Sequence, residues 1–72
     1  MNYNIERILK EEKEGKLKIE IFTSYRLWHK MSQQEIAKAI EASVTTIARA
    51  EQQGAISDKI WTRFLRYVSS VK

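Results

Sequence analysis

Apolar residues recur at three- and four-residue spacings through most of this chain, and short polar residues punctuate the runs. In residues 2–14 (NYNIERILKEEKE), Ile5, Ile8 and Leu9 fall at helical spacing among charged residues. Asn2 or Asn4 supplies a cap, and Gly15 ends or bends the helix. The stripe is narrow and must rest on the body of the domain or on a second subunit. In residues 16–30, Lys-Leu-Lys-Ile-Glu-Ile alternates like a strand, but no other segment is a candidate to pair with it. Ile21, Phe22, Tyr25 and Trp28 form a helical face instead, so this segment is predicted helical.

Ser32-Gln33-Gln34-Glu35 is a capping-box pattern. The Ser32 hydroxyl can accept from the Glu35 amide while the Glu35 carboxylate reaches back to the Ser32 amide, so a helix should start at Gln33. Glu41-Ala42-Ser43 reads as a turn, Ser43 as the N-cap of a helix over 44–53, and Gly54 as its stop. Ser57 or Asp58 caps a last helix, whose broad stripe is Ile60, Trp61, Phe64, Leu65 and Val68. No repeat, linker or low-complexity tract interrupts the chain. The predicted fold is all-α, a compact bundle of about five helices in one domain, with residues 1–15 a helix of unassigned role.

Composition sharpens this picture. At 72 residues the chain can bury only about 60% of the surface its unfolded form exposes, which implies modest stability. Cysteine is absent, which removes disulfides and thiolate zinc sites and suits a reducing cytoplasm. No stretch approaches the ~20 apolar residues of a membrane span, and no signal-like run follows Met1. The formal charge is +4 and the pI about 9.6, in the range that hints at nucleic acid. Residues 1–36 hold seven Lys/Arg against six Asp/Glu, and residues 37–72 hold six against three. Most of the excess positive charge therefore lies with the second half. One histidine, one aspartate and no glycine-rich phosphate loop leave nothing to build a nucleophile–base pair or a ligand cluster, so an enzyme is not expected and no cofactor is implied.

A helix pair that enters the major groove needs a small residue where its helices cross, apolar residues to fix the crossing, and short polar residues opening the second helix. Ala37 meets the first demand, and Ile36, Ile40, Ile47 and Ala50 meet the second. Ser43, Val44, Thr45, Thr46 and Arg49 meet the third, with Val44, Thr45, Ala48 and Arg49 turned away from Ile47 and Ala50.

These residues resemble the lambda-repressor-like, Cro and phage-repressor (Xre) helix-turn-helix domains. The likeness rests on Ser32-Gln33-Gln34-Glu35-Ile36-Ala37 opening the first helix, Ser43-Val44-Thr45-Thr46-Ile47 opening the second, and Glu51 closing it, with Arg26 one helix earlier as its partner. It covers roughly residues 21–68. The resemblance implies that Gln33 meets a DNA phosphate and that Val44, Thr45 and Arg49 face base edges. Arg49 would take guanine in a bidentate manner, and a methyl of Val44 or Thr45 would touch thymine. Ser43, Thr46, Gln52 and Lys59 become phosphate candidates, and Arg26 with Glu51 a structural pair. Two departures stand out. The turn usually has glycine for a positive φ and here has Glu41, a conformation that costs a non-glycine residue about 1–2 kcal/mol, so a reshaped turn is expected. The closing Glu-Gln-Gln-Gly is one residue longer than the usual Glu-x-Gly, so contacts beyond Gln52 carry over least. Met31-Ser32-Gln33 with residues 41–49 is also similar to the Trp repressor's helix pair, which lacks the Arg26–Glu51 partnership and ranks second.

Trp28 and Trp61 read as core anchors, with a dimer contact open to one of them, and His29 reads as a surface residue before a turn. The expected function is a cytoplasmic, sequence-specific regulator of double-stranded DNA, a repressor acting as a homodimer. The rival is a protein-binding inhibitor or adaptor, from a phage or mobile element, that reuses the same helix pair.

Overall fold

Local signals place the helix ends. The computed structural model describes residues 3–71 and contains α1 (Ile5–Lys13), α2 (Lys18–Trp28), α3 (Gln33–Ala39), α4 (Val44–Gln53) and α5 (Asp58–Ser70). No strand occurs among the described residues. Asn4, Ser32, Ser43 and Ser57 each accept a backbone N–H three residues on, capping α1, α3, α4 and α5. Asn2, the alternative cap for α1, lies outside the described residues. At α3 both halves of the capping box form, with Glu35 N–H to Ser32 Oγ at 3.0 Å and Ser32 N–H to Glu35 Oε1 at 2.9 Å. The Ser32 backbone and side-chain hydrogen bonds hold the Glu35 carboxyl below its ordinary range. Only α2 starts without a side-chain cap.

All four connections leave their helix through a residue in the left-handed region. Two are glycines, Gly15 (φ 94°) and Gly54 (φ 72°). The other two are Lys30 (φ 56°) and Glu41 (φ 57°). The turn after α3 is thus not reshaped to avoid positive φ; Glu41 adopts the conformation that glycine usually supplies. Its hydrogen bonds explain why. Ala42 N–H reaches Ala37 O at 2.8 Å and Glu41 N–H reaches Lys38 O at 3.3 Å, the paired bonds of a Schellman ending. Lys30 closes α2 in the same way, with Met31 N–H to Arg26 O at 2.9 Å and Lys30 N–H to Leu27 O at 3.1 Å.

The core gathers around α2. Ile19, Ile21, Phe22 and Tyr25 are all buried, a wide arc that explains the strand-like alternation at its start. The helix is enclosed from several sides, meeting α1 and α4 and touching α5 through rings. Phe64 of α5 is the hub: its ring lies 4.9 Å from Phe22, 5.2 Å from Tyr25 and 5.3 Å from Trp61. Ile36 and Ala37 of α3 and Ile47 and Ala50 of α4 complete the interior, as their spacing predicted. In α5 the stripe Ile60, Trp61, Phe64 and Val68 is buried, and Leu65 is half-buried at its edge.

Two expectations change. Trp61 is a core anchor at 4% exposure, but Trp28 is 50% exposed. Trp28 sits in the last turn of α2, past the Phe64 cluster, where its neighbours are the Tyr3 ring at 6.1 Å and the Arg7 guanidinium at 5.1 Å. In α1, Ile8 is fully buried but Leu9 is exposed. What goes inside with Ile8 is Tyr3, before the helix, and Glu11. The narrow stripe therefore rests on the domain itself, through contacts of α1 with α2 and α5. No described helix is long and apolar enough to cross a membrane.

Candidate nucleic-acid interface

The exposed face of α4 is built from its own helical period. Ile47 and Ala50 point inward, which turns Val44, Thr45, Arg49 and Gln52 to solvent and leaves Ala48 at the margin. Ser43 and Thr46 are exposed at the helix start, where they engage each other. Ser43 Oγ accepts Thr46 N–H at 3.1 Å and lies 2.7 Å from Thr46 Oγ1. Two hydroxyls sharing one bond leave one O–H free, beside the unpaired amides of the first turn. Arg49 and Lys59 make no ion pair among the described residues, and no acidic residue stands in the first turn of α4. The free hydroxyl, the open amides and Arg49 all offer donors and positive charge, which suits an anionic ligand.

Behind this face, Glu51 ties three helices together. Arg26 of α2 donates from Nε to Glu51 Oε2 at 2.8 Å and from Nη2 to Oε1 at 3.0 Å, a bidentate pair. Its third contact, Nη1 to Met31 O at 3.0 Å, holds the turn between α2 and α3. Gln33, the first residue of α3, donates from Nε2 to Glu51 Oε1 at 2.8 Å, and Thr23 Oγ1 donates to Oε2 at 3.4 Å. The two charged side chains are only 14% and 12% exposed. Burial pushes the Glu51 carboxyl upward, but the hydrogen bonds from Arg26, Gln33 and Thr23, with the Arg26 charge, outweigh it and leave the group below its ordinary range.

Thus Arg26 and Glu51 form the expected structural pair. Gln33 does not point freely outward: one amide hydrogen is held by Glu51, which orients the second, since an amide nitrogen carries two. Gln52 and Lys59 are exposed, and their side chains make no ion pair or hydrogen bond among the described residues. Thr23 and the Met31 carbonyl were missed from the sequence. Thr23 had a signal, since it lies three residues before Arg26 on the same helix face; a backbone carbonyl leaves none. Arg63 was also missed: it donates from Nη1 to the carbonyl of Glu41 at 2.9 Å, across from α5.

Compared with family models, with curated proteins and with solved structures, the chain finds no match.

Proposed function

We propose that this chain is a sequence-specific regulator of double-stranded DNA, with a helix-turn-helix formed by α3 and α4 and with α4 entering the major groove. The observation that carries the reading is the coupling of an exposed, donor-rich α4 face to a bidentate Arg26–Glu51 pair that also orients Gln33. A groove-reading helix has to be held rigidly at its back while its front stays free, and this arrangement does both. In this reading Val44, Thr45 and Arg49 meet base edges, and Gln33, Ser43, Thr46, Gln52 and Lys59 meet phosphates. The Arg26–Glu51 pair favours the lambda-repressor-like, Cro and Xre class over the Trp repressor. The protein acts as a homodimeric repressor in the cytoplasm, its two α4 helices about one DNA turn (~34 Å) apart.

The exposed apolar Val44 gives some support to the second reading, a protein-binding inhibitor or adaptor, but it stands among polar and cationic neighbours rather than in an apolar patch. Titration with random duplex DNA at two salt concentrations separates the two. DNA binding should weaken steeply with salt, and its absence would sink the proposal. With a duplex selected from random sequence, Arg49→Ala should reduce discrimination about tenfold or more. Lys59→Ala should weaken all sequences alike and lower the salt slope by about one. Equal loss of discrimination in both variants contradicts the assigned roles.

A further inference from the structure

The α3–α4 turn is the covalent link that aims α4, and its central residue is in a conformation that its side chain disfavours. Glu41 has φ 57°, and only glycine adopts that region without cost. The carbonyl of the same residue receives the Arg63 guanidinium at 2.9 Å, from a helix 22 residues further along the chain. We infer that Arg63 is a positioning residue: it latches the left-handed turn to α5 and thereby fixes how α4 presents Thr45 and Arg49. Three features converge on this role.

The first is the placement of Arg63. It is half-buried on α5, whose Trp61 and Phe64 are anchored in the core, so its guanidinium comes from a rigid support. The second is electrostatic. Ile40 and Glu41 follow directly on α3, at a helix C-terminus where backbone carbonyls concentrate negative charge and a cation is favoured. The third is the parallel with the end of α2, whose left-handed Lys30 is followed at once by a carbonyl that an arginine also holds: Arg26, of α2 itself, donates to Met31 O at 3.0 Å. Each non-glycine left-handed turn has a carbonyl at or beside its left-handed residue held by an arginine, Arg26 from the helix that the turn ends and Arg63 from the distant α5. Among the described residues, no side chain bonds to the backbone of Gly15 or Gly54 at the two glycine turns. The arginine contacts occur where the left-handed residue carries a side chain.

Arg66 provides the control. It is one helical turn along α5, lines the same open groove of about 390 Å³ with Ala39, Ile40 and Glu41, and carries the same charge without a bond to the turn. The consequence for specificity rests on the DNA reading; the latch itself does not.

The experiment compares Arg63→Ala, Arg66→Ala, Glu41→Gly and the Glu41→Gly/Arg63→Ala double variant. Discrimination is the ratio of affinities for a selected duplex and for random duplex, and backbone amide exchange is followed at Ala42 and Ile47. Arg63→Ala should cut discrimination about fivefold and speed exchange at both amides about fivefold, the loss of one charge-assisted hydrogen bond. Arg66→Ala should leave both quantities unchanged. Glycine at position 41 supports the left-handed turn by itself, so the double variant should recover most of the loss. Indistinguishable exchange in the Arg63 and Arg66 variants overturns the latch. Faster exchange in Arg63→Ala alone, without loss of discrimination, overturns its role in specificity. If the unaltered protein binds no duplex, the DNA reading fails, and the exchange arm still decides the latch.

Discussion

Two glutamates, the buried Glu11 of α1 and the largely enclosed Glu51 of α4, are held by similar chemistry to different effect. Glu11 accepts from the Tyr3 hydroxyl, from Arg7 Nε at 3.2 Å, and pairs with Lys16 at 3.5 Å. Glu51 accepts from Arg26, Gln33 and Thr23. In both, burial alone would raise the carboxyl, and hydrogen bonds together with neighbouring cations bring it below its ordinary range. The partners of Glu11 all lie within residues 3–16, so the cluster folds the chain's start back onto α1. It also buries Tyr3 edge-on against Tyr25, at 5.8 Å. The partners of Glu51 come from α2 and α3 while Glu51 itself is on α4, so this cluster fixes helices relative to one another. A local cluster secures a terminus; a long-range one sets a geometry. The second is what the proposed recognition surface needs.

Substitutions can test that contrast, and the largest expected effect is at Glu51. Glu51→Ala leaves Arg26 nearly buried without its counter-ion, which should cost about 3 kcal/mol. In a domain of this size that lowers Tm by more than 10 °C, roughly, measured by thermal unfolding. The Tyr3→Phe variant keeps the ring packing and removes only the hydroxyl from Glu11. It should cost about 1–2 kcal/mol in urea unfolding and leave DNA discrimination untouched. If Tyr3→Phe disturbs discrimination as much as Glu51→Ala does, the division into a terminal and a geometric cluster is wrong.

The smallest effect is in the pH dependence. Both carboxyls have folded-state values below their ordinary 4.5, so the unfolded chain takes up protons first on acidification. Their stabilisation is complete above about pH 4.5 and is lost as pH falls through the lower folded values. Urea midpoints should therefore be flat from neutrality to mildly acidic pH and decline below that. Glu51→Gln should flatten part of the decline, and a decline unaltered by that substitution would mean Glu51 carries no such linkage. Glu11→Gln should remove a separate part, adding to the first because the two clusters share no partner.

The legible parts of this fold are those set by neighbours in sequence. The capping box at Ser32, the start of α4 after Ser43, the stop at Gly54 and the turn at residues 41–43 depend on side chains within three or four positions of the groups they satisfy. The face of α4 was equally legible, because Ile47 and Ala50 fix which side turns in. Arg26 and Glu51 are 25 residues apart, and only the family resemblance linked them. Glu11 was not legible at all. It stands in Lys-Glu-Glu-Lys-Glu, which reads as a solvated charged face, and its burial depends on Tyr3 folding over it.

The sequence by itself thus determined an all-helical chain of about five helices, the capped starts of α3 and α4, the end of α4, and the residues that α4 exposes, since capping and amphipathic periodicity act within a helical turn. Tertiary structure decided which charged groups went inside, that Trp28 stayed half exposed while Trp61 was buried, and that Glu41 would accept a left-handed backbone with Arg63 across from it. Those outcomes depend on which distant surfaces meet. Burial and charge pairing are properties of the assembled neighbourhood, and no single segment carries them.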